Sequence, residues 1–100
     1  MAKSTERLSK LSPKLLDLLS WVLRGSQRRE IIKVMDKPKI PAQIYKEAIK
    51  HNPKITRNSV SDVLRSFVKK GLAKCINPKE TKGRIYVLTK RGIEIRKMII

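Results

Sequence analysis

Between residues 54 and 89 an amphipathic helix is followed at once by a basic hairpin, a succession that limits the fold more than anything else in the chain. Thr56 is placed to cap the helix. Val60, Val63, Leu64, Phe67 and Val68 then recur at i, i+3, i+4, i+7 and i+8, one apolar stripe down one face. The other face carries Arg57, Asn58, Ser61, Arg65 and Lys69. Gly71 stands where a left-handed C-terminal cap belongs, and Leu72 can make the hydrophobic contact that accompanies it. Two strand-like runs, 72–77 and 84–89, flank the tip Pro78-Lys79-Glu80-Thr81-Lys82-Gly83. A helix that buries one face and shows cations on the other, chained to a cationic hairpin, is suited to meeting a nucleic acid.

The charge points the same way. Twenty-five Lys and Arg face eight acids, a formal net charge of +17. Most cations therefore lack a carboxylate partner, and a polyanion would offset their mutual repulsion. Residues 1–50 hold twelve basic and five acidic side chains, a net of +7, whereas residues 51–100 hold thirteen and three, a net of +10. The more basic half is the one with the helix and hairpin. Forty per cent apolar residues argue against wholesale disorder, and 100 residues suit one domain with a modest core.

Upstream, the polar and basic residues 1–11 read as a flexible amino terminus. Ser12-Pro13 opens a helix over 12–24 that is apolar nearly all round, with Leu15, Leu18 and Val22 on one stripe, Leu16, Leu19 and Leu23 on another, and Trp21 between. Gly25-Ser26 breaks it and starts a helix over 27–36. A short connection follows, with Ile40 as a candidate single-residue strand, and Pro41 opens a third helix to about residue 50. His51-Asn52-Pro53 stops that one, leaving a turn of about five residues before the basic helix. Two helices joined so, the second cationic, make a helix-turn-helix. After the hairpin Thr89 can cap a last helix bearing Ile93, Ile95, Met98, Ile99 and Ile100.

Three stretches carry a resemblance. "NSVSDVLRSFVKKGLAKCINP" (58–78) resembles the recognition helix and first wing strand of small archaeal winged-helix DNA-binding proteins and their relatives in the MarR and ArsR groups of transcription regulators. "RIYVLTKRG" (84–92) resembles the closing wing strand and the Leu-Thr-x-x-Gly lead-in to the last helix, and "LRGSQRREIIKVM" (23–35) resembles the first domain helix. Together they span about three quarters of the chain. The resemblance implies a mostly helical α+β fold: a winged helix-turn-helix over 25–89, with the helices at 12–24 and 90–100 added for dimerisation. Metal-sensing relatives carry a His/Cys cluster, and one His and one Cys cannot form it.

Catalysis finds no support. His51 stands beside a helix end without a nucleophile motif, the acids are scattered, and the four glycines lie too far apart for a phosphate loop. No cofactor, metal site or small-molecule substrate is indicated. Cys75 is either a small apolar strand residue or the donor of an intermolecular disulfide. The longest apolar run, 15–23, is interrupted by Asp17 and Ser20 and too short for a bilayer, and no leader with a cleavage site is visible. The reading is a soluble, cytoplasmic, nucleoid-associated protein.

Double-stranded DNA is the partner that geometry favours, because a helix fits its major groove and the helix's amino-terminal residues meet base edges. That nominates Arg57, Asn58, Ser61 and Arg65 for reading, Arg28, Arg29 and Lys54 for phosphates, and Lys79, Lys82 and Arg84 on the wing. Surplus apolar residues at both ends nominate Leu15, Leu18, Leu19, Val22, Ile95, Met98 and Ile99 for a homodimer interface. A dimeric transcription regulator and an abundant architectural DNA-binding protein both fit. An RNA-associated module fits less well, since A-form major grooves exclude a helix.

Overall fold

A computed structural model describes residues 12–100, and the flexible terminus expected over residues 1–11 lies outside them. The elements run α1 (Pro13–Arg24), α2 (Ser26–Val34), α3 (Pro41–Ala48), α4 (Arg57–Lys69), β1 (Ala73–Cys75), β2 (Tyr86–Leu88) and α5 (Lys90–Ile99). Helices α2, α3 and α4 pack on one another, the strands form the wing, and α1 and α5 pack together against this body. This is a winged helix-turn-helix with a helix added at each end.

The expected caps close the helices. Ser12 Oγ accepts from the Leu15 N–H at 3.2 Å, with proline in the first turn. At α4, Thr56 Oγ1 accepts from Ser59 N–H at 3.0 Å while Ser59 Oγ accepts from Thr56 N–H at 2.8 Å. This is a reciprocal capping box built with a serine instead of the longer acid. At its other end Gly71 takes φ +77°, the Leu72 N–H reaches Phe67 O at 2.8 Å, and the Gly71 N–H reaches Val68 O at 3.1 Å. That pair of bonds is a Schellman cap. Thr89 Oγ1 accepts from Gly92 N–H at 3.2 Å to open α5.

Boundaries differ in three places. Helix α2 stops at Val34, not 36, because Met35 leaves helical geometry (φ −87°, ψ 49°) and its N–H turns back to Ile32 O. Helix α3 ends at Ala48, whose carbonyl accepts from both His51 and Asn52 N–H, so the connection to α4 spans residues 49–56. The single-residue strand is Lys39, one residue before the expected Ile40. Its N–H donates to Tyr86 O at 3.1 Å and its carbonyl accepts from Tyr86 N–H at 2.9 Å. The reason is local: Ile40 is the N-cap of α3 and its carbonyl is taken by the Gln43 and Ile44 N–H groups.

The wing is antiparallel, with Ala73 opposite Leu88, Lys74 opposite Val87 and Cys75 opposite Tyr86. Its hydrogen bonds extend past the strands, from Thr89 N–H to Leu72 O at one end to Ile76 N–H to Ile85 O at the other. That ribbon covers most of the two strand-like runs.

One core draws on every helix, with Val22, Ile31, Ile32, Ile44, Val60, Leu64, Phe67, Leu72 and Ile95 almost fully buried. Each such side chain contributes about 1.5–3 kcal/mol of transfer free energy. Trp21 of α1 meets Phe67 edge-on, ring centres 5.9 Å apart. On α4 the inward stripe is narrower than its pattern: Val63 is half-buried and Val68 exposed.

This core revises the expected surplus at the two ends. Leu15, Leu18, Leu19, Val22 and Ile95 are buried within the single chain, and Met98 and Ile99 are partly buried against the same cluster. At about 100° per residue, positions 15, 18, 19 and 22 share one arc of α1, and that arc faces the body. The apolar side chains that α1 and α5 leave outside are Leu16, Leu23, Ile93 and Ile100, between 38% and 64% exposed.

Candidate nucleic-acid interface

The outer face of α4 is polar because its inner face is committed to the core. With Val60, Leu64 and Phe67 pointing inward, Arg57, Asn58, Ser61 and Arg65 are all exposed. Arg57, Ser61 and Arg65 follow one another at i, i+4 and i+8, a row about 12 Å long. The capping box at Thr56 fixes the first turn, and so the backbone from which Arg57 and Asn58 project. Arg57 has an aromatic neighbour. Its guanidinium carbon lies 5.6 Å from the centre of the Tyr45 ring, which α3 supplies. Arg65 pairs with Asp62 at 3.4 Å, but both side chains are more than 70% exposed, so the pair is worth little and is easily exchanged for another anion.

The wing tip is a built loop. Asn77 Oδ1 accepts from Ile85 N–H at 2.6 Å, and its Nδ2 donates to Gly83 O at 3.1 Å. Arg84 Nε donates to Glu80 O at 2.7 Å, and Gly83 supplies the left-handed turn at φ +69°. Lys79, Lys82 and Arg84 are exposed on this fixed tip. Between wing and helix lies a cleft of about 320 Å³ lined by Ser61 and Arg65 from α4 and by Thr81, Arg84 and Tyr86 from the wing. The fold thus brings Arg84 of the wing to Ser61 and Arg65 of α4, from which it is distant in sequence. Lys54 is exposed in the connection just ahead of α4, its N–H bonded to Asn52 Oδ1 at 3.1 Å.

Arg28 is not brought to this face. The Arg28 guanidinium lies 4.3 Å from the centre of the Trp21 ring and donates to the Trp21 carbonyl. Lys70 Nζ is 4.7 Å from the same ring. Lys70 caps the far end of α4, about 20 Å along the helix from Arg57. Arg29 is half-buried.

Lys39 went unnoticed in the sequence. Its side chain is 2% exposed, and its Nζ donates to Val34 O and Asp36 Oδ1 at 2.6 Å and to Glu47 Oε1 at 2.9 Å. Burial favours the neutral amine, yet the hydrogen bonds and charges of Asp36 and Glu47 outweigh it and raise the lysine's pKa. The hydrogen bond from Lys39 in turn lowers that of Asp36, against a smaller opposing effect of burial. Since Lys39 also holds Tyr86 through its backbone, this network anchors the base of the wing to α2 and α3. An acid three residues ahead of a lysine in a short connection was the available signal.

Among the described residues no cluster of three or more His, Cys, Asp or Glu could hold a metal ion, and no helix is long and apolar enough to cross a membrane.

Several solved structures share the architecture. Diamide-treated YodB from B. subtilis is similar with a TM-score of 0.62 and 24% identity, covering 90% of this chain and 86% of its own. The MarR family transcription regulator SP03579 follows with a TM-score of 0.56 and 19% identity, over 98% of this chain and 68% of its own. A complex of hsRosR-SG has a TM-score of 0.54 and 15% identity, over 88% and 68%. No protein-family model matches the sequence, and a search of curated proteins finds no match. At these identities the likeness is one of fold, and the fold is the winged helix.

Proposed function

We propose that the protein is a dimeric winged-helix transcription regulator that binds double-stranded DNA. The observation that carries the reading is the exposed, fixed face formed by the first turns of α4 and the wing, where Arg57, Arg65, Lys79, Lys82 and Arg84 outnumber Asp62 and Glu80. Helix α4 enters the major groove, where Arg57 can pair with guanine O6 and N7 and Asn58 with adenine N6 and N7. Ser61 and Arg65 follow along the groove wall. Lys54, Lys79 and Lys82 meet phosphates, and the cleft between Arg65 and Arg84 is placed to seat one. Phosphate contacts of this kind set orientation, and base contacts set sequence. The MarR family name of one structural neighbour agrees with a regulator's role.

Dimerisation through α1 and α5 remains part of the proposal, with a changed surface. Leu16 and Leu23 on α1, with Ile93 and Ile100 at α5, are the apolar groups that these two elements leave uncovered. A two-fold axis there would present two α4 helices about 34 Å apart, matching successive major grooves on one face of DNA.

The net charge of +17 favours a second reading, an architectural protein that coats DNA with little sequence preference. Both readings require phosphate-dominated binding. The test is affinity for duplex DNA against salt: with about six to ten phosphate contacts per dimer, it should fall roughly a thousandfold or more between 50 and 200 mM. Affinity indifferent to salt overturns both.

A further inference from the structure

The contact between Arg57 and Tyr45 joins the two helices of the helix-turn-helix at the very residue placed to read a base. Tyr45 comes from α3 and is half-buried, so its ring is held by its own packing against the core. Among the described residues no carboxylate lies within ion-pair distance of Arg57. The aromatic face is therefore what restrains the guanidinium. At 5.6 Å it lies within the range where a ring attracts a cation. The ring leaves the fork's five N–H donors unspent, because a guanidinium over a π-face, unlike one paired with a carboxylate, keeps the hydrogen bonds of its edge free.

Beside this pair is a notch of about 200 Å³ lined by Pro41, Ala42, Tyr45, Arg57 and Ser61. Three of its five walls (the proline ring, the alanine methyl and the tyrosine ring) are apolar, and Ala42 is exposed. In the major groove one base presents an apolar group at its edge: thymine, through its 5-methyl. A guanine presents O6 and N7 to an arginine fork in the same groove. An apolar notch adjoining a restrained arginine therefore matches two neighbouring base pairs of different chemistry.

We propose that Tyr45 is a positioning residue for Arg57, and that the Pro41–Ala42–Tyr45 notch receives the methyl of a thymine adjacent to the guanine that Arg57 reads. This deepens the proposed DNA-binding function and rests on it. The preferred half-site then contains a T·A pair beside a G·C pair, and discrimination at the two positions is separable. Filling the notch abolishes the thymine preference without touching the guanine preference, and removing the ring loosens the guanine preference.

The experiment uses the full chain and the best-bound duplex selected from a random library. Replacing the thymine next to the required guanine by deoxyuridine deletes the methyl alone and is expected to weaken binding about fourfold, the worth of one buried methyl group. The same replacement costs nothing in Ala42→Leu. Tyr45→Leu is expected to narrow the discrimination of guanine from adenine about tenfold or more, and Tyr45→Phe, which keeps the ring, restores it. Circular dichroism melts confirm that all three variants are folded, and a role confined to folding would not change base preference at one position. Deoxyuridine bound as well as thymine at every position in the wild-type protein overturns the inference, as does a guanine preference unaltered in folded Tyr45→Leu. A protein that binds all duplexes equally overturns the regulator reading and this inference with it. A site-selective protein indifferent to the methyl overturns only the inference.

Discussion

Gly92 in the first turn of α5 is pressed against the backbone of Leu72, so close that a Cβ at position 92 would overlap the Leu72 carbonyl oxygen. That carbonyl already accepts from Thr89 N–H at 2.9 Å, and the Thr89 hydroxyl donates to Gly71 O at 2.7 Å. The start of α5, the end of the wing and the cap of α4 are thereby locked into one knot. The obstacle at position 92 is backbone, which cannot swing aside as a flexible side chain would.

Gly92→Ala is therefore expected to destabilise the protein by about 1–3 kcal/mol, the range for forcing extra volume into a packed site. Urea denaturation measures it. Stability within experimental error of wild type would show that α5 can lift away from Leu72.

Lys39 gives a pH signature. The lowered pKa of Asp36 means its contribution is present above its ordinary 3.8 and is lost as pH falls through the lower folded value. The raised pKa of Lys39 means its contribution is present below its ordinary 10.5 and is lost as pH rises through the higher folded value. Lys39→Met leaves the Val34 carbonyl and both acids without their donor, for an expected loss of about 1–3 kcal/mol near neutral pH. Asp36 is about half exposed, so its share is small. Denaturation across pH should show the gap between wild type and variant shrinking in strong acid and strong alkali. A gap constant across that range contradicts the network.

The two ends of the chain yield a prediction that separates core from surface. Leu16→Glu with Ile93→Glu alters exposed positions and should leave the fold intact while converting a dimer to monomer in sedimentation at micromolar concentration. Leu18→Glu instead buries a charge at a site only 7% exposed and should unfold the protein. A folded dimer that survives the exposed pair places the interface elsewhere.

Much of this was legible in the sequence because it was local. Thr56, Gly71 and Thr89 announce their caps by residue type and spacing, and the α4 stripe follows from the 3.6 period. The polar outer face of α4 follows as the complement of that stripe. What the sequence concealed depends on tertiary placement. Periodicity shows that α1 is greasy on two arcs but cannot say that the arc of Leu15, Leu18, Leu19 and Val22 is satisfied by its own chain. Arg28 looks like any helix-terminal cation until Trp21 is found beneath it, 4.3 Å away. Lys39 and Tyr45 meet partners on other elements, and charge or hydropathy alone marks neither.

The most direct test of the central claim is the ratio of affinities for a selected duplex and for random duplex, measured in competition at one fixed salt concentration. A reader of base edges should prefer its site by about a thousandfold or more. In Arg57→Ala or Asn58→Ala that preference should shrink, with about 1–3 kcal/mol lost at the selected site, whereas Lys82→Ala should weaken both duplexes alike. A ratio near one, or a ratio that Arg57→Ala leaves unchanged, would contradict the account and leave a protein that only coats DNA.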